Sequence, residues 1–136
     1  MRVFKTRWLA RFAARERIAD DSLSEAIQRA ARGLIDADLG GGIIKQRLAR
    51  QGQGRSGGYR MLIAYRAGNR AVFLYGFAKN ERENIGPDEL ATLRDIGAAW
   101  LEADEKLIAN AIREKALQEV TNDEKDGTEP VDKGSA

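Results

Sequence analysis

The spacing of apolar residues divides the chain into a helical start, a strand-rich middle and a second helical part. Residues 2–5 predict a short strand. From Thr6 onward, apolar residues recur at helical spacing: Trp8, Leu9, Phe12 and Ala13. Ser22 and Glu25 form a capping-box pattern that predicts the start of a second helix. The expected buried face of this helix consists of Leu23, Ala26, Ile27, Ala30 and Leu34.

From residue 43 the apolar period changes to two, which is typical of β-strands. The pattern predicts three strands, at residues 43–47, 59–66 and 70–78. It also predicts a glycine-rich loop at residues 51–58. Gly68 and Asn69 predict a two-residue turn between the last two strands. A three-residue turn would place Arg66 opposite Arg70, and this like-charge pair argues against it.

The two-residue turn determines which side chains share a face of the hairpin. Arg60 would lie opposite Phe77 and beside Tyr75, because cross-strand neighbours are ~5 Å apart and diagonal neighbours ~7–8 Å. Lys45 and Arg47 lie two residues apart on the first strand, so they share a face as well. We expect the opposite, apolar face of the hairpin to be a core covered by helices.

After the hairpin the pattern becomes helical again. Gly86 and Pro87 predict a helix with proline at its first position, although Gly97 weakens that helix. Its expected buried face consists of Leu90, Leu93, Ile96, Trp100 and Leu101. Residues 107–120 are expected to continue as helix. Residues 121–136 hold one large apolar residue and cannot bury enough surface to offset their ordering entropy, so we expect a disordered acidic tail.

Composition limits the chemistry that the chain can perform. Its 136 residues are enough for one domain with its own core, and they include no cysteine and no histidine. The absence of cysteine excludes a disulfide framework, thiolate catalysis and cysteine-based zinc sites. Any catalysis must use lysine, arginine, tyrosine or carboxylate groups, and we expect neither a metal nor a cofactor. No apolar run could span a bilayer, and no secretory signal is evident, so we expect a cytoplasmic protein.

Charge is distributed in blocks along the chain. Between Leu39 and Arg82, nine cations stand against the single carboxylate of Glu81, a local charge of +8 in a chain whose net charge is +2. The nine cations are Lys45, Arg47, Arg50, Arg55, Arg60, Arg66, Arg70, Lys79 and Arg82. They are interleaved with aromatic residues, and this suits a polyanion partner, because paired phosphates release counterions and rings stack on bases. The alternative is a solvated cationic sheet face above an aromatic core.

Three segments together closely resemble the RelE/HigB-like toxins of type II toxin–antitoxin systems, within the RelE/ParE superfamily. They are residues 33–47 (GLIDADLGGGIIKQR), residues 52–60 (GQGRSGGYR) and residues 75–82 (YGFAKNER). The resemblance implies an α+β fold, in which N-terminal helices pack on a small, mostly antiparallel sheet that is followed by a C-terminal helix. It implies a toxin domain at residues 1–120, with residues 121–136 as the tail.

The resemblance also implies an activity and a set of partners. It implies a ribosome-dependent endoribonuclease that cuts messenger RNA in the A site, inhibits translation and is neutralised by a cognate antitoxin. DNA would be bound only through the antitoxin, and no membrane would be involved. By position, the implied catalytic residues are Lys45, Arg60, Tyr75 and Lys79. The implied RNA-binding residues are Arg47, Arg50, Arg55, Phe77 and Arg82.

These residue types can support cleavage of RNA without an imidazole. Arg60 is expected to stabilise the phosphorane, because a guanidinium forks onto two phosphate oxygens and stays charged. Lys45 and Lys79 lie among other cations, which favours their neutral forms, so either could act as base or acid. Tyr75 could ionise or stack on a base. The identity of the base stays open. Two other functions also stay open. One is a ParE-type toxin that binds and poisons DNA gyrase, and the other is a nucleic-acid-binding module without catalysis.

Overall fold

The structure, a computed structural model, describes residues 1–50 and 54–121, and the side chains of residues 1–49 and 58–121. The predicted acidic tail therefore lies outside the described residues, apart from Thr121. The predicted loop at 51–58 lies outside them in part.

Six strands form one sheet with two helices on each of its faces. In chain order the elements are β1 (Arg2–Thr6), α1 (Arg7–Glu16), α2 (Asp20–Ala31), β2 (Ala37–Gly40), β3 (Ile43–Arg50), β4 (Gly54–Arg66), β5 (Arg70–Ala78), α3 (Pro87–Glu102), α4 (Glu105–Arg113) and β6 (Leu117–Glu119). The strand order is β2-β3-β4-β5-β1-β6, and only the pair β1–β5 is parallel. The α+β class with a mostly antiparallel sheet is therefore confirmed.

The core lies on both faces of the sheet. One apolar cluster packs between the sheet and helices α1 and α2, and it includes Met61 and Ile63 from β4. The other packs between the sheet and helices α3 and α4, and it includes Leu62 and Ala64 from the same strand. The expectation of a helix-covered apolar hairpin face is confirmed. None of the helices in the described residues is both long enough and apolar enough to span a membrane.

Helix α1 begins where predicted, because Thr6 caps it. The Thr6 hydroxyl accepts a hydrogen bond from the Leu9 N–H at 3.2 Å. The helix buries Leu9, Phe12 and Ala13 as expected. Trp8 differs from the prediction: it is 44% exposed and lies at the border of the apolar stripe.

Two predictions about α2 are wrong. The helix begins at Asp20 rather than at a capping box on Ser22, and no side chain caps its first turn. The Asp20 carboxylate instead receives Lys5 Nζ at 2.6 Å, which ties the start of the helix to β1. Leu34 lies beyond the helix end and is exposed. The acidic first turn favours this start, because carboxylates stabilise the positive end of the helix dipole.

The sheet extends further than the sequence pattern indicated. Strand β2 was not predicted, and it joins β3 through three glycines with positive φ, Gly40, Gly41 and Gly42. Strand β4 starts at Gly54, where it pairs with the end of β3, so the expectation of a loop is wrong for residues 54–58. Tertiary pairing with β3 overrides the low strand propensity of glycine there.

The turn between β4 and β5 has three residues, and Arg66 lies opposite Arg70. The predicted two-residue turn is therefore wrong. Gly68 takes φ +71°, which a glycine adopts without strain. The like-charge pair is tolerated because each arginine has its own carboxylate. Arg66 Nη2 contacts Glu102 at 2.8 Å, and Arg70 Nη2 contacts Glu105 at 3.3 Å.

A β-bulge corrects the register further along the hairpin. Ile63 pairs with Phe73 but Leu62 pairs with Tyr75, so Leu74 is an extra residue on β5. The bulge offsets the one-residue shift introduced by the turn. Beyond it the pairs are those predicted from the two-residue turn, and that part of the predicted register is confirmed.

Helix α3 begins as predicted and packs very close to the sheet. Pro87 is its first residue, and the Glu89 carboxylate accepts a hydrogen bond from the Gly86 N–H at 2.8 Å. A Cβ on Gly97 would come within 3.0 Å of the Ala64 Cβ, so glycine allows this approach. Ile96, which was expected to be buried, is 42% exposed.

The chain after α4 is a strand and not the predicted helix. Helix α4 ends at Arg113, and Lys115 takes φ +64°, which breaks the helical path. Strand β6 then pairs antiparallel with β1 and fully buries Leu117. The helix predicted for residues 107–120 is therefore wrong beyond Arg113, because pairing with an open sheet edge outweighs local helix propensity.

Candidate functional site

Five of the predicted site residues share one face of the sheet, at the end of the hairpin away from its turn. Cross-strand pairing from β3 through β4 to β5 forms two rows on this face. The first row is Arg47, Arg60 and Phe77, and the second is Lys45, Leu62 and Tyr75. Neighbours within a row are ~5 Å apart, so these side chains form one cluster.

Arg47 and Arg60 are the central cations of this cluster, and they differ in exposure. The Arg47 side chain is 46% exposed, and its Nη2 donates to Asp36 Oδ1 at 3.1 Å. Arg60 is only 9% exposed. Burial lowers the pKa of Arg60 below its ordinary value, the charge of Arg47 lowers that pKa further, and the charge of Asp36 acts in the opposite direction. A buried, positively charged guanidinium is suited to receive an anion.

Asp36 belongs to this site and was not predicted from the sequence. Burial would raise the pKa of its carboxyl group, but hydrogen bonds from Arg47 and Arg29 outweigh burial and lower that pKa. The group is therefore a carboxylate at neutral pH. The sequence feature that could have pointed to Asp36 is its position, because Asp36 and Asp38 are the last carboxylates before the block of nine cations.

The two predicted catalytic lysines differ in their exposure and have no side-chain partner in the part of the chain that the structure describes. Within the described residues, neither Lys45 nor Lys79 makes an ion pair or hydrogen bond through its Nζ. Lys45 is half-buried on β3, whereas Lys79 is exposed just after β5. The Lys79 N–H donates to the Gly58 carbonyl at 2.9 Å, which keeps it at the Arg60 end of the hairpin.

Tyr75 lies in an aromatic group that continues from the site to α1. Its ring centroid is 4.5 Å from that of Trp8 and 6.3 Å from that of Phe77. Trp8 also stacks on Phe12, with centroids 5.4 Å apart. Trp8 was taken for a core residue from its helical spacing, so the sequence carried no separate signal for it at this site.

Arg82 already has partners within the fold, and Phe77 lies beneath it. The Arg82 guanidinium contacts Glu89 at 2.7 Å and donates to the Asn84 carbonyl and the Tyr75 hydroxyl, at 2.8 Å and 3.4 Å. The hydrogen bond from Arg82 lowers the pKa of Glu89 to about 2. Phe77 is 3% exposed, with the guanidinium 5.6 Å from its ring centroid. An RNA contact by either residue stays a prediction, and it would require these contacts to change.

The remaining predicted RNA-binding residues are Arg50 and Arg55, whose side chains lie outside the described residues. The roles of all the predicted site residues remain predictions. The geometry brings together on one face a buried guanidinium, a second guanidinium opposite it, a tyrosine and a lysine that has no partner among the described residues. Such a group can bind a phosphodiester and supply proton-transfer groups within a few ångströms of it.

Comparison with known proteins gives one match. A family model described as "RelE toxin of RelE / RelB toxin-antitoxin system" matches residues 1–120. No curated protein and no solved structure is similar enough to the chain to count as a match.

Proposed function

The chain belongs to the RelE toxin family, and from this premise we propose that it arrests growth by cutting messenger RNA on the ribosome. Membership of a toxin–antitoxin family implies a cognate antitoxin as partner. The finer proposal, an endoribonuclease that inhibits translation, rests on the chemistry of the cationic face.

The observation that carries the proposal is the row formed by Arg47 and Arg60. Two guanidinium groups lie on directly paired positions of β3 and β4, one half-exposed and one mostly buried. Guanidinium groups bind phosphate oxygens through paired hydrogen bonds and keep their charge at neutral pH. The pair is suited to a phosphodiester whose negative charge increases during cleavage.

Cleavage without an imidazole would follow the usual chemistry of the RNA 2′-hydroxyl. A base removes the proton of the 2′-hydroxyl, and the oxygen attacks the adjacent phosphorus in line with the 5′-oxygen. Arg60 stabilises the phosphorane by charge, a contribution typically worth ~3–4 kcal/mol per donor. An acid then protonates the 5′-oxygen as its bond to phosphorus breaks, which leaves a 2′,3′-cyclic phosphate and a free 5′-hydroxyl.

Three residues could supply the base and the acid. Lys45 is half-buried beside the arginine pair and has no partner within the described residues. Tyr75 lies in the same row, and its hydroxyl receives a hydrogen bond from Arg82. Lys79 follows the same strand and is exposed. A lysine in its neutral form can accept the proton, and in its charged form can donate one.

The ribosome would supply what this face lacks, which is orientation of the RNA strand. Arg47 is the exposed cation of the arginine pair, with 46% of its side chain open to solvent, so RNA would approach from its side. Holding reactants in line can contribute ~7–11 kcal/mol to lowering a barrier. We therefore expect weak cleavage of free RNA and strong cleavage of ribosome-bound messenger.

The experiment that tests the proposal induces the chain in cells and maps messenger ends by primer extension. A parallel supercoiling assay with purified protein and DNA gyrase tests the other known kind of target. New messenger ends at ribosome-occupied codons, with normal supercoiling, are the expected result. Inhibited supercoiling without messenger breaks would identify a gyrase poison. Messenger binding without breaks and without gyrase inhibition would identify a binding module, and either outcome would refute the proposal.

A further inference from the structure

Asp36 is held in place by two buried side chains. Its backbone N–H donates to Gln46 Oε1 at 2.7 Å, and Gln46 is fully buried. Its Oδ2 accepts from Arg29 Nη1 at 3.2 Å, and the Arg29 side chain is 7% exposed. Arg29 is itself held by Glu25, at 3.0 Å from Nε to Oε2. A carboxylate supported in this way has a fixed position and orientation.

This fixed carboxylate meets Arg47 at two points. Oδ2 of Asp36 accepts from the Arg47 backbone N–H at 2.7 Å, and Oδ1 accepts from Arg47 Nη2 at 3.1 Å. Arg29 Nη2 also donates to the Arg47 carbonyl, at 2.5 Å. The backbone and the guanidinium of Arg47 are therefore anchored by the same pair of residues, although nearly half of the Arg47 side chain faces solvent.

The anchoring opposes a repulsion built into the sheet. Arg47 and Arg60 are directly paired, and like charges at such positions destabilise each other. A long, half-exposed arginine with no counter-charge would turn toward solvent, away from Arg60. The carboxylate of Asp36 acts on both cations, since it bonds to Arg47 and its charge also reaches Arg60.

We propose that Asp36 is the positioning residue of the cationic site, and that it holds the Arg47 guanidinium where it and Arg60 can grip one phosphate together. The inference rests on the proposed function for its catalytic readout. It adds a residue that binds no substrate and acts through Arg47. Misplacement of a catalytic group by 1 Å can cost a rate of order 10²-fold, so loss of the anchor has a measurable consequence.

The test compares Asp36→Asn with Asp36→Glu and with the matched control Asp38→Asn. Asp38 lies two residues after Asp36, on the edge strand β2, and its Oδ1 accepts only the Gly40 N–H among the described residues. We expect Asp36→Asn to lower kcat/KM on ribosome-bound messenger by about tenfold, and Asp38→Asn to stay within about twofold. Equal losses in the two variants would show that the effect comes from the change in net charge, and this would overturn the proposal.

Two further arms keep the test decisive if Asp36→Asn folds poorly. Asp36→Glu keeps the charge but moves it by one methylene, and we expect a loss of at least about threefold with little change in melting temperature. A wild-type rate for Asp36→Glu would overturn the proposal that Asp36 positions Arg47. In an Arg47→Ala background, changing Asp36 should cause no further loss of kcat/KM. A full additional loss there would show that Asp36 does not act through Arg47.

A spectroscopic arm separates this inference from the proposed function. The NMR signals of the Arg47 guanidinium N–H groups report its contact with the carboxylate and need no RNA. We expect them to be protected from solvent exchange in the wild type and in Asp38→Asn, and exposed in Asp36→Asn. If the wild type cuts no messenger but shows this pattern, the proposed function fails and the anchoring of Arg47 stands. Unchanged signals in Asp36→Asn would refute the anchoring itself.

Discussion

The two ends of the β4–β5 hairpin both carry cations, but they differ in how those cations are paired. At the turn end, Arg66 and Arg70 are paired with Glu102 and Glu105. Arg70 also donates to the carbonyls at the end of α3, at 2.8 Å each. At the far end, Arg82 pairs with Glu89, and Arg47 on the neighbouring strand β3 pairs with Asp36, but Lys45 on β3 and Lys79 have no partner within the described residues.

The difference teaches where the cationic surface lies. The end of α3 lies over the turn end and brings its own carbonyls there, together with the carboxylates of Glu102 and Glu105. Cations are favoured at a helix C-terminus, where the helix dipole is negative. The local charge of +8 counted along the sequence therefore does not form one surface. Lys45 and Lys79, which make no ion pair within the described residues, both lie at the end that holds Arg47 and Arg60.

The largest expected effect separates two arginines of one strand. Arg60 and Arg66 both lie on β4 and on the same face, six residues apart. We expect Arg60→Ala to lower cleavage of ribosome-bound messenger by about 10²–10³-fold, as loss of a charge-stabilising donor does. Arg66→Ala should stay within about twofold. The measurement is single-turnover cleavage by purified, folded protein. Comparable losses of cleavage in both variants would show that the two ends of the hairpin do not differ in function.

The converse prediction concerns folding stability. Arg70→Ala removes two hydrogen bonds to carbonyls and one ion pair from a side chain that is 10% exposed. We expect the free energy of unfolding to fall by about 2 kcal/mol, while cleavage per folded molecule is unchanged. Urea denaturation checks the first part. Arg66→Ala, at a more exposed site, should cost about 0.5–1 kcal/mol. If Arg70→Ala instead inhibited cleavage without destabilising the fold, the turn end would be part of the site.

The rate of association with the antitoxin should depend on the end of the hairpin that holds Arg47 and Arg60. An antitoxin is expected to shield the cationic face that holds Lys45, Arg47 and Arg60, so its association rate should fall by about tenfold or more between 0.1 M and 1 M salt, as the Debye length falls from ~10 Å to ~3 Å. Arg47→Ala should flatten this dependence, and Arg66→Ala should leave it nearly unchanged. Stopped-flow mixing of the purified pair measures both. A flat series for the wild type would exclude a neutralising contact with the site.

The smallest expected effect is an acid-dependent one at Glu89, the partner of Arg82. The folded-state pKa of Glu89 is about 2, below its ordinary 4.5. A depressed carboxylate contributes stability above pH about 4.5 and loses that contribution as pH falls toward about 2. Glu89→Gln should therefore be slightly less stable than the wild type at pH 6 and equally stable near pH 2. Glu83→Gln is the control, and a pH-independent difference for Glu89→Gln would contradict the prediction.

Much of the fold could be predicted because local signals and tertiary contacts agree. The cap of α1 at Thr6, the start of α3 at Pro87 and strands β4 and β5 all follow from residue type and spacing. Two of the differences from the prediction share a cause. Strands β2 and β6 are short edge strands that form by pairing with neighbours distant in sequence, and single-strand patterns carry little of that information.

The sequence by itself determined the type of site: lysines, arginines and tyrosine without histidine or cysteine, with Lys45 and Arg47 on one face of a strand and Arg60 beside Tyr75 on the hairpin. The pairing of β3 with β4 placed Arg47 opposite Arg60. Only the tertiary structure decided which cations remain unneutralised. Counter-charges come from Asp36, Glu89, Glu102 and Glu105, and the last two lie 36 and 35 residues along the chain from the arginines they pair with, Arg66 and Arg70. Charge pairing depends on distances of a few ångströms between side chains, and those distances are set by how the helices cross the sheet.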